Sequence, residues 1–235
     1  GHGALPQPAI DPKRAQTGRR ERDPGPARLP RGTVHRRERQ PCRIQTGPSA
    51  QTGRVPQAKT LDGYDWSMAA FPADWGREQL ASLEFIDRAE DLVLYGDVGC
   101  GKTHLAIAIG TLACQQGIPV RFFTASGLIM RLRKAKSENR LDQELKTIGK
   151  ADLLVIDELG YLPIDIDGAR LLFQIIADSY ERRSIIFTSN LEFGRWGDVF
   201  GDGDMAAAVI DRIVHHGRII RFHGESYRNT HSLMK

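Results

Sequence analysis

Eight consecutive residues carry the clearest chemistry in the chain: Gly96, Asp97, Val98, Gly99, Cys100, Gly101, Lys102 and Thr103 fit the spacing G-x-x-x-x-G-K-[ST]. Glycines at these positions let backbone N–H groups turn inward around a phosphate, where side chains would collide. Lys102 then supplies a point charge for the β- and γ-phosphates, and the Thr103 hydroxyl is a ligand for Mg²⁺. A glycine-rich turn could end in Lys-Thr without binding anything. The surroundings favour the phosphate reading: an apolar run at 91–95 precedes the loop and an Ala/Ile/Leu-rich helix at 105–114 follows it. That helix would point its positive N-terminal end at the anion.

A second group lies some 55 residues further on. The apolar run Leu153-Leu154-Val155-Ile156 leads into Asp157 and Glu158. A strand ending in Asp delivers a carboxylate to the sheet edge where doubly wound folds bind ligands. Asp157 is the candidate for organising Mg²⁺, and Glu158 the candidate base that polarises an attacking water. Two acids after a strand could equally cap a helix; paired with the upstream loop, they read as catalytic. Asn190 closes a further apolar run, Ile185-Ile186-Phe187-Thr188-Ser189, and is a candidate for holding the water or the γ-phosphate. As an isolated residue it would read as a turn.

These residues need a scaffold that brings several strand ends together. Apolar runs near 91–95, 120–123, 152–156, 184–188 and 218–222 read as strands. They alternate with helical patterns near 105–114, 126–136, 141–148, 168–181 and 205–215. Such alternation predicts an α/β fold with a parallel sheet covered on both faces. Helical spacing also appears across 77–91.

Charge is unevenly distributed. Residues 1–60 hold 13 Lys and Arg against 4 acids, a net of +9, whereas the other 175 residues hold 20 bases and 25 acids, a net of −5. Residues 1–56 lack an apolar period and are rich in Arg, Pro and Gly, so the expectation is a disordered basic arm. Such an arm would be attracted to nucleic-acid phosphates, or be a solvated tail. The first methionine is Met68, so the sequence does not open at an initiator. Cys42, Cys100 and Cys114 show no disulfide spacing and read as reduced thiols. With no leader pattern and no apolar run of roughly 18 residues or more, a cytoplasmic protein is expected. His215-His216 lack an acid or Cys at ligand spacing and read as packing or capping residues rather than metal ligands.

Taken in order, GDVGCGKTHLA, LLVIDELGYLP, IIFTSN, AAAVIDRIVHH and GESYR resemble the IstB/DnaC group of AAA+ ATPases, most of all the IstB-like proteins of bacterial insertion sequences. The resemblance covers about residues 59–228. It implies a three-layer P-loop NTPase of the AAA+ ASCE type, with a sheet ordered 5-1-4-3-2 and no C-terminal lid, across residues 57–235. It implies ATP and Mg²⁺ as cofactors, ATP hydrolysis, and His104 and Arg228 as further ATP-site residues. Arg212 would be an arginine finger reaching a neighbouring subunit, in a homo-oligomer assembled on DNA of any sequence. The partner would be a transposase, or a replicative helicase if the chain is a DnaC-like loader. Arg131, Arg133, Lys134 and Lys136 sit where this group contacts DNA, although a solvated helix face is the plainer reading. A small-molecule phosphotransferase would need an acceptor pocket and an enclosing lid, for which no segment is visible.

Overall fold

A computed structural model of the protein describes residues 59–224 and 226, together with the backbone strand 45–46; the rest of the arm expected to be disordered, and Arg228, lie outside the described residues. The strands are β1 (Gln45–Thr46), β2 (Ala69–Ala70), β3 (Asp91–Gly96), β4 (Val120–Thr124), β5 (Leu153–Leu159), β6 (Ser184–Ser189) and β7 (Gly217–Phe222). The helices are α1 (Arg77–Ser82), α2 (Glu84–Asp87), α3 (Lys102–Gln115), α4 (Ala125–Ser137), α5 (Leu141–Ile148), α6 (Ile166–Ser179), α7 (Trp196–Phe200) and α8 (Gly203–His215).

The five expected strands lie in the order β7-β3-β6-β5-β4, all parallel, which is the expected 5-1-4-3-2. Two short strands missed in the sequence extend this order to seven. β2 runs antiparallel along β7, and β1, from within the basic arm, runs parallel along β4. Two residues carry too little pattern to be read as a strand.

Strand alternation sorts the core into two layers. Leu92, Leu94, Leu153, Val155, Ile186, Ile220 and Phe222 face α1, α2 and α3, whereas Val93, Leu154, Ile156, Ile185 and Phe187 face the layer built from α4, α6, α7 and α8. Both faces being buried explains why these strands read as unbroken apolar runs.

Local geometry revises several boundaries. The 77–91 helix breaks at Leu83, which adopts φ +60, so it becomes α1 and α2. α3 starts at Lys102 rather than 105, because Lys102 and Thr103 of the loop already lie in its first turn, with Gly101 as the cap. β5 runs past Ile156 to Leu159 through a bulge, so Asp157 and Glu158 belong to the strand rather than follow it.

At the N-terminal edge of the sheet, Asp91 is buried and its carboxylate accepts the Ile185 N–H at 2.7 Å. Burial pushes its pKa up to about 7, against a weaker lowering by that hydrogen bond. The unfolded carboxyl titrates near 4, so the folded state holds a proton that the unfolded state has lost between pH 4 and 7. The contribution to stability is complete below that window and is lost as pH rises through 7. Asp91→Asn keeps the acceptor without the charge. Denaturant unfolding between pH 5 and 8 should show wild type losing stability relative to Asp91→Asn, by up to roughly 1.4 kcal/mol per pH unit; parallel profiles would contradict this assignment.

Candidate nucleotide-binding site

The site forms at the carboxyl edge, where β3, β6 and β5 end side by side. The loop after β3 closes on itself. Lys102 Nζ donates to the carbonyls of Gly96 at 2.6 Å and Asp97 at 2.5 Å, so the lysine spans the loop mouth from a largely buried position. Gly101, the residue before α3, has φ +91, and a Cβ there would meet the Tyr64 hydroxyl at 2.9 Å. At Gly96 a Cβ would overlap the Phe222 carbonyl of β7. The loop's path therefore needs glycine for two reasons, handedness at one end and crowding at the other.

Asp157 is the hub of the second half. Its Oδ1 accepts the Thr103 hydroxyl of α3 at 2.9 Å and the Thr188 hydroxyl of β6 at 2.5 Å. Thr188 in turn accepts the Glu158 N–H at 2.9 Å. Since Thr103 commits its proton to Asp157, its oxygen offers only lone pairs elsewhere, as a cation ligand must. Glu158 sits at the bulge with φ +60, an uncommon conformation for a side chain of this size, and is exposed while both its neighbours are buried. Strain of this kind is held only where surrounding structure enforces it; here the enforcing contact is Thr188. Register pairs Tyr95 with Ser189, so Asn190 stands level with Gly96, exposed at the same edge.

The remaining loop residues have structural duties. Cys100 is buried, its thiol 3.4 Å from the Gly224 carbonyl, whereas Val98 is exposed at the loop. His104 packs edge-on against Tyr64, with ring centroids 5.2 Å apart. Burial, and then the Lys59 charge, lower its pKa. Tyr64 donates its hydroxyl to the Gly101 carbonyl at 3.2 Å, and burial raises its own pKa.

The structure unites Gly96–Thr103, Asp157, Glu158 and Asn190, and separates the others. Arg212 lies in the last turn of α8, its guanidinium over the Phe173 ring of α6 at 5.1 Å and bonded to the Ala208 carbonyl at 2.7 Å. Gly217, just beyond α8, pairs with Asp91 at the opposite edge, five residues or roughly 17 Å of strand from Gly96. Arg131 is half-buried, paired with Glu144 at 2.5 Å and stacked on Phe123. Arg133 pairs with Asp165, whereas Lys134 and Lys136 are exposed and make no ion pair among the described residues. His215 and His216 bond to Tyr180 and Glu181. Thr188 and Tyr64 are site residues that the sequence reading missed. Thr188 had a signal, a hydroxyl two residues before Asn190; Tyr64 had none. A cleft of about 490 Å³ with Lys146, Asp178 and Arg183 in its wall lies between α5 and α6 and contains none of the site residues.

The sheet order, the loop and the Asp-Glu strand define a P-loop nucleotide-binding domain of the AAA+ class. Solved structures agree on the fold: the DnaC helicase loader superposes with a TM-score of 0.56 at 25% identity, over 70% of this chain and 96% of that one. AMPPCP-bound DnaA from Aquifex aeolicus gives 0.56 at 18% identity, over 71% of this chain and 50% of that one. Residues 33–234 match the family described as IstB-like ATP binding protein, and the chain belongs to that family. Relatives include the ATP-binding proteins of insertion sequence IS5376 from Geobacillus stearothermophilus, 42% identical over 81% of this chain and 75% of that protein, and of IS21 from Pseudomonas aeruginosa, 43% identical over 74% and 66%. Among the described residues no helix is long and apolar enough to cross a membrane.

Lys102→Ala should weaken ATP binding at least tenfold in calorimetric titration while the protein stays folded. ATP affinity equal to wild type would remove Lys102 from the site.

Proposed function

We propose that the chain hydrolyses ATP and, as a head-to-tail oligomer on DNA, acts as a helper of a transposase. The observation that supports the hydrolytic part is the Thr103–Asp157–Thr188–Glu158 chain of hydrogen bonds, which holds two candidate metal ligands and an exposed carboxylate on one frame. Thr103 and Asp157 fit Mg²⁺ by their oxygen chemistry. Bound there, the ion would neutralise charge on the phosphates. The chain's own residues supply the rest. Lys102 and the loop N–H groups hold the β- and γ-phosphates. Asn190, level with Gly96, orients water in line with the terminal phosphate. Glu158 takes the water's proton as the new P–O bond forms and the bond to the ADP oxygen breaks.

The distance of Arg212 from its own loop supports assembly. An arginine at the far edge can reach a triphosphate only in another copy, and such heterologous contacts form rings or helical filaments. DNA as the platform rests on Lys134, Lys136 and the basic arm, and the transposase on the insertion-sequence relatives. Loading a replicative helicase is the second reading, favoured by the likeness to the DnaC loader; co-purification with helicase rather than transposase would select it.

Two results test this. Glu158→Gln should retain ATP binding and lose at least about 100-fold in turnover, within the range seen for general bases. Lys102→Ala and Arg212→Ala proteins, each inactive alone, should recover activity when mixed, because a mixed interface contains one intact loop and one intact finger. A mixture with no activity would contradict catalysis between subunits.

A further inference from the structure

The loop leaving Glu158 carries a feature that nucleotide chemistry does not use. Residues 160–163 read Gly-Tyr-Leu-Pro, and the side chains of Tyr161 and Leu162 are 66% and 60% exposed. Both ends of the loop are fixed. Gly160 packs against Leu191 and Val199, and the Ile164 N–H donates to the Val199 carbonyl at 3.0 Å. The tip is thus an apolar wedge on a fixed base. It stands beside α4, since Arg133 pairs with Asp165, and Ile129, Arg133 and Ile164 all converge on Gly168. On that helix Met130, 67% exposed, lies one turn from Lys134; Ile166, at the start of α6, is also exposed.

Charge identifies the occupant. Three acids of this surface are paired with arginines: Asp165 with Arg133, Asp167 with Arg170, and Glu138 with Arg140. Lys134 and Lys136 are exposed and make no ion pair among the described residues, and Lys134 stands one turn from the exposed Met130. Apolar side chains entering between base steps, with cations on the flanking phosphates, are the chemistry of architectural DNA binders. A protein partner would meet apolar groups crossed by solvated lysines.

We infer that Tyr161 and Leu162, supported by Met130, form a wedge that inserts into duplex DNA while Lys134 and Lys136 hold its backbone, and that this contact regulates hydrolysis. The inference rests on the reading of the chain as a DNA-bound ATPase. Regulation follows from connectivity. Tyr161 is three residues from Glu158, with its N–H turned back to the Glu158 carbonyl at 3.3 Å, and Gly160 rests on Leu191, the neighbour of Asn190. A force on the tip therefore reaches the exposed base and the water-orienting amide together.

The test uses full-length wild type, a Tyr161→Ala/Leu162→Ala variant and a Lys134→Ala/Lys136→Ala variant, with a fluorescent linear duplex of mixed sequence, ATP and Mg²⁺. The wedge variant should bind the duplex about tenfold more weakly with an unchanged salt slope, because apolar contacts release no counterions. Its basal ATPase should match wild type, and its DNA stimulation should be lost. The lysine variant should instead lower the salt slope by about two. Wild-type duplex affinity and stimulation in the wedge variant would overturn the inference and leave the surface to a protein partner. Wild-type protein that neither binds nor responds to duplex would overturn the DNA-bound reading itself.

Discussion

A single carboxylate oxygen ties the functional edge together. Asp157 Oδ1 accepts one hydroxyl from the helix that follows the phosphate loop and another from β6, the strand lying between that loop and β5. Three elements remote in sequence thereby hold a fixed spacing at the edge of the sheet. Two hydrogen bonds to one buried oxygen fix the distances between these elements. They also orient what surrounds them: the Thr103 oxygen presents lone pairs, and Thr188 fixes the backbone that lifts Glu158 into solvent.

The rest of the fold supports that geometry from beneath. Alternating apolar residues on β3, β5 and β6 bury both faces of the sheet, which keeps the three strand ends level. Crowding by Phe222 and Tyr64 shapes the loop from outside. The polarity of the parallel sheet also separates two functions. The phosphate-loop residues sit at one edge and Arg212 near the other, an arrangement that suits the proposed head-to-tail assembly. The exposed Tyr161–Leu162 loop leaves the same edge, its Tyr161 N–H turned back to the Glu158 carbonyl, so the proposed DNA contact and the proposed hydrolysis would share one connected segment.

Much of this was legible in the sequence because it depends on short-range pattern. The loop spacing, the Asp-Glu pair, the five long strands and their order follow from residue types and from the family resemblance. What was not legible depends on contacts between distant segments. Nothing local marks Tyr64 as a partner of Gly101, or Thr188 as the bridge from Asp157 to Glu158. The bulge that places Glu158 at positive φ cannot be read from Leu-Val-Ile-Asp-Glu, which looks like a strand with a polar end. The break at Leu83 is invisible for the same reason: its helical period continues across it while the backbone does not. Nor does the sequence mark which bases of α4 are engaged within the fold: Arg131 pairs with Glu144 and lies over Phe123, and Arg133 pairs with Asp165.

The proposed chemistry requires Asp157, Thr103 and the glycine loop to form one site for a metal-bound triphosphate. Equilibrium titration of the wild-type protein with a fluorescent ATP analogue, first with Mg²⁺ and then with excess chelator, tests it most directly. Saturable binding with Mg²⁺ is expected, weakening by at least tenfold without it. No measurable binding with Mg²⁺ present, or identical binding under both conditions, would contradict it.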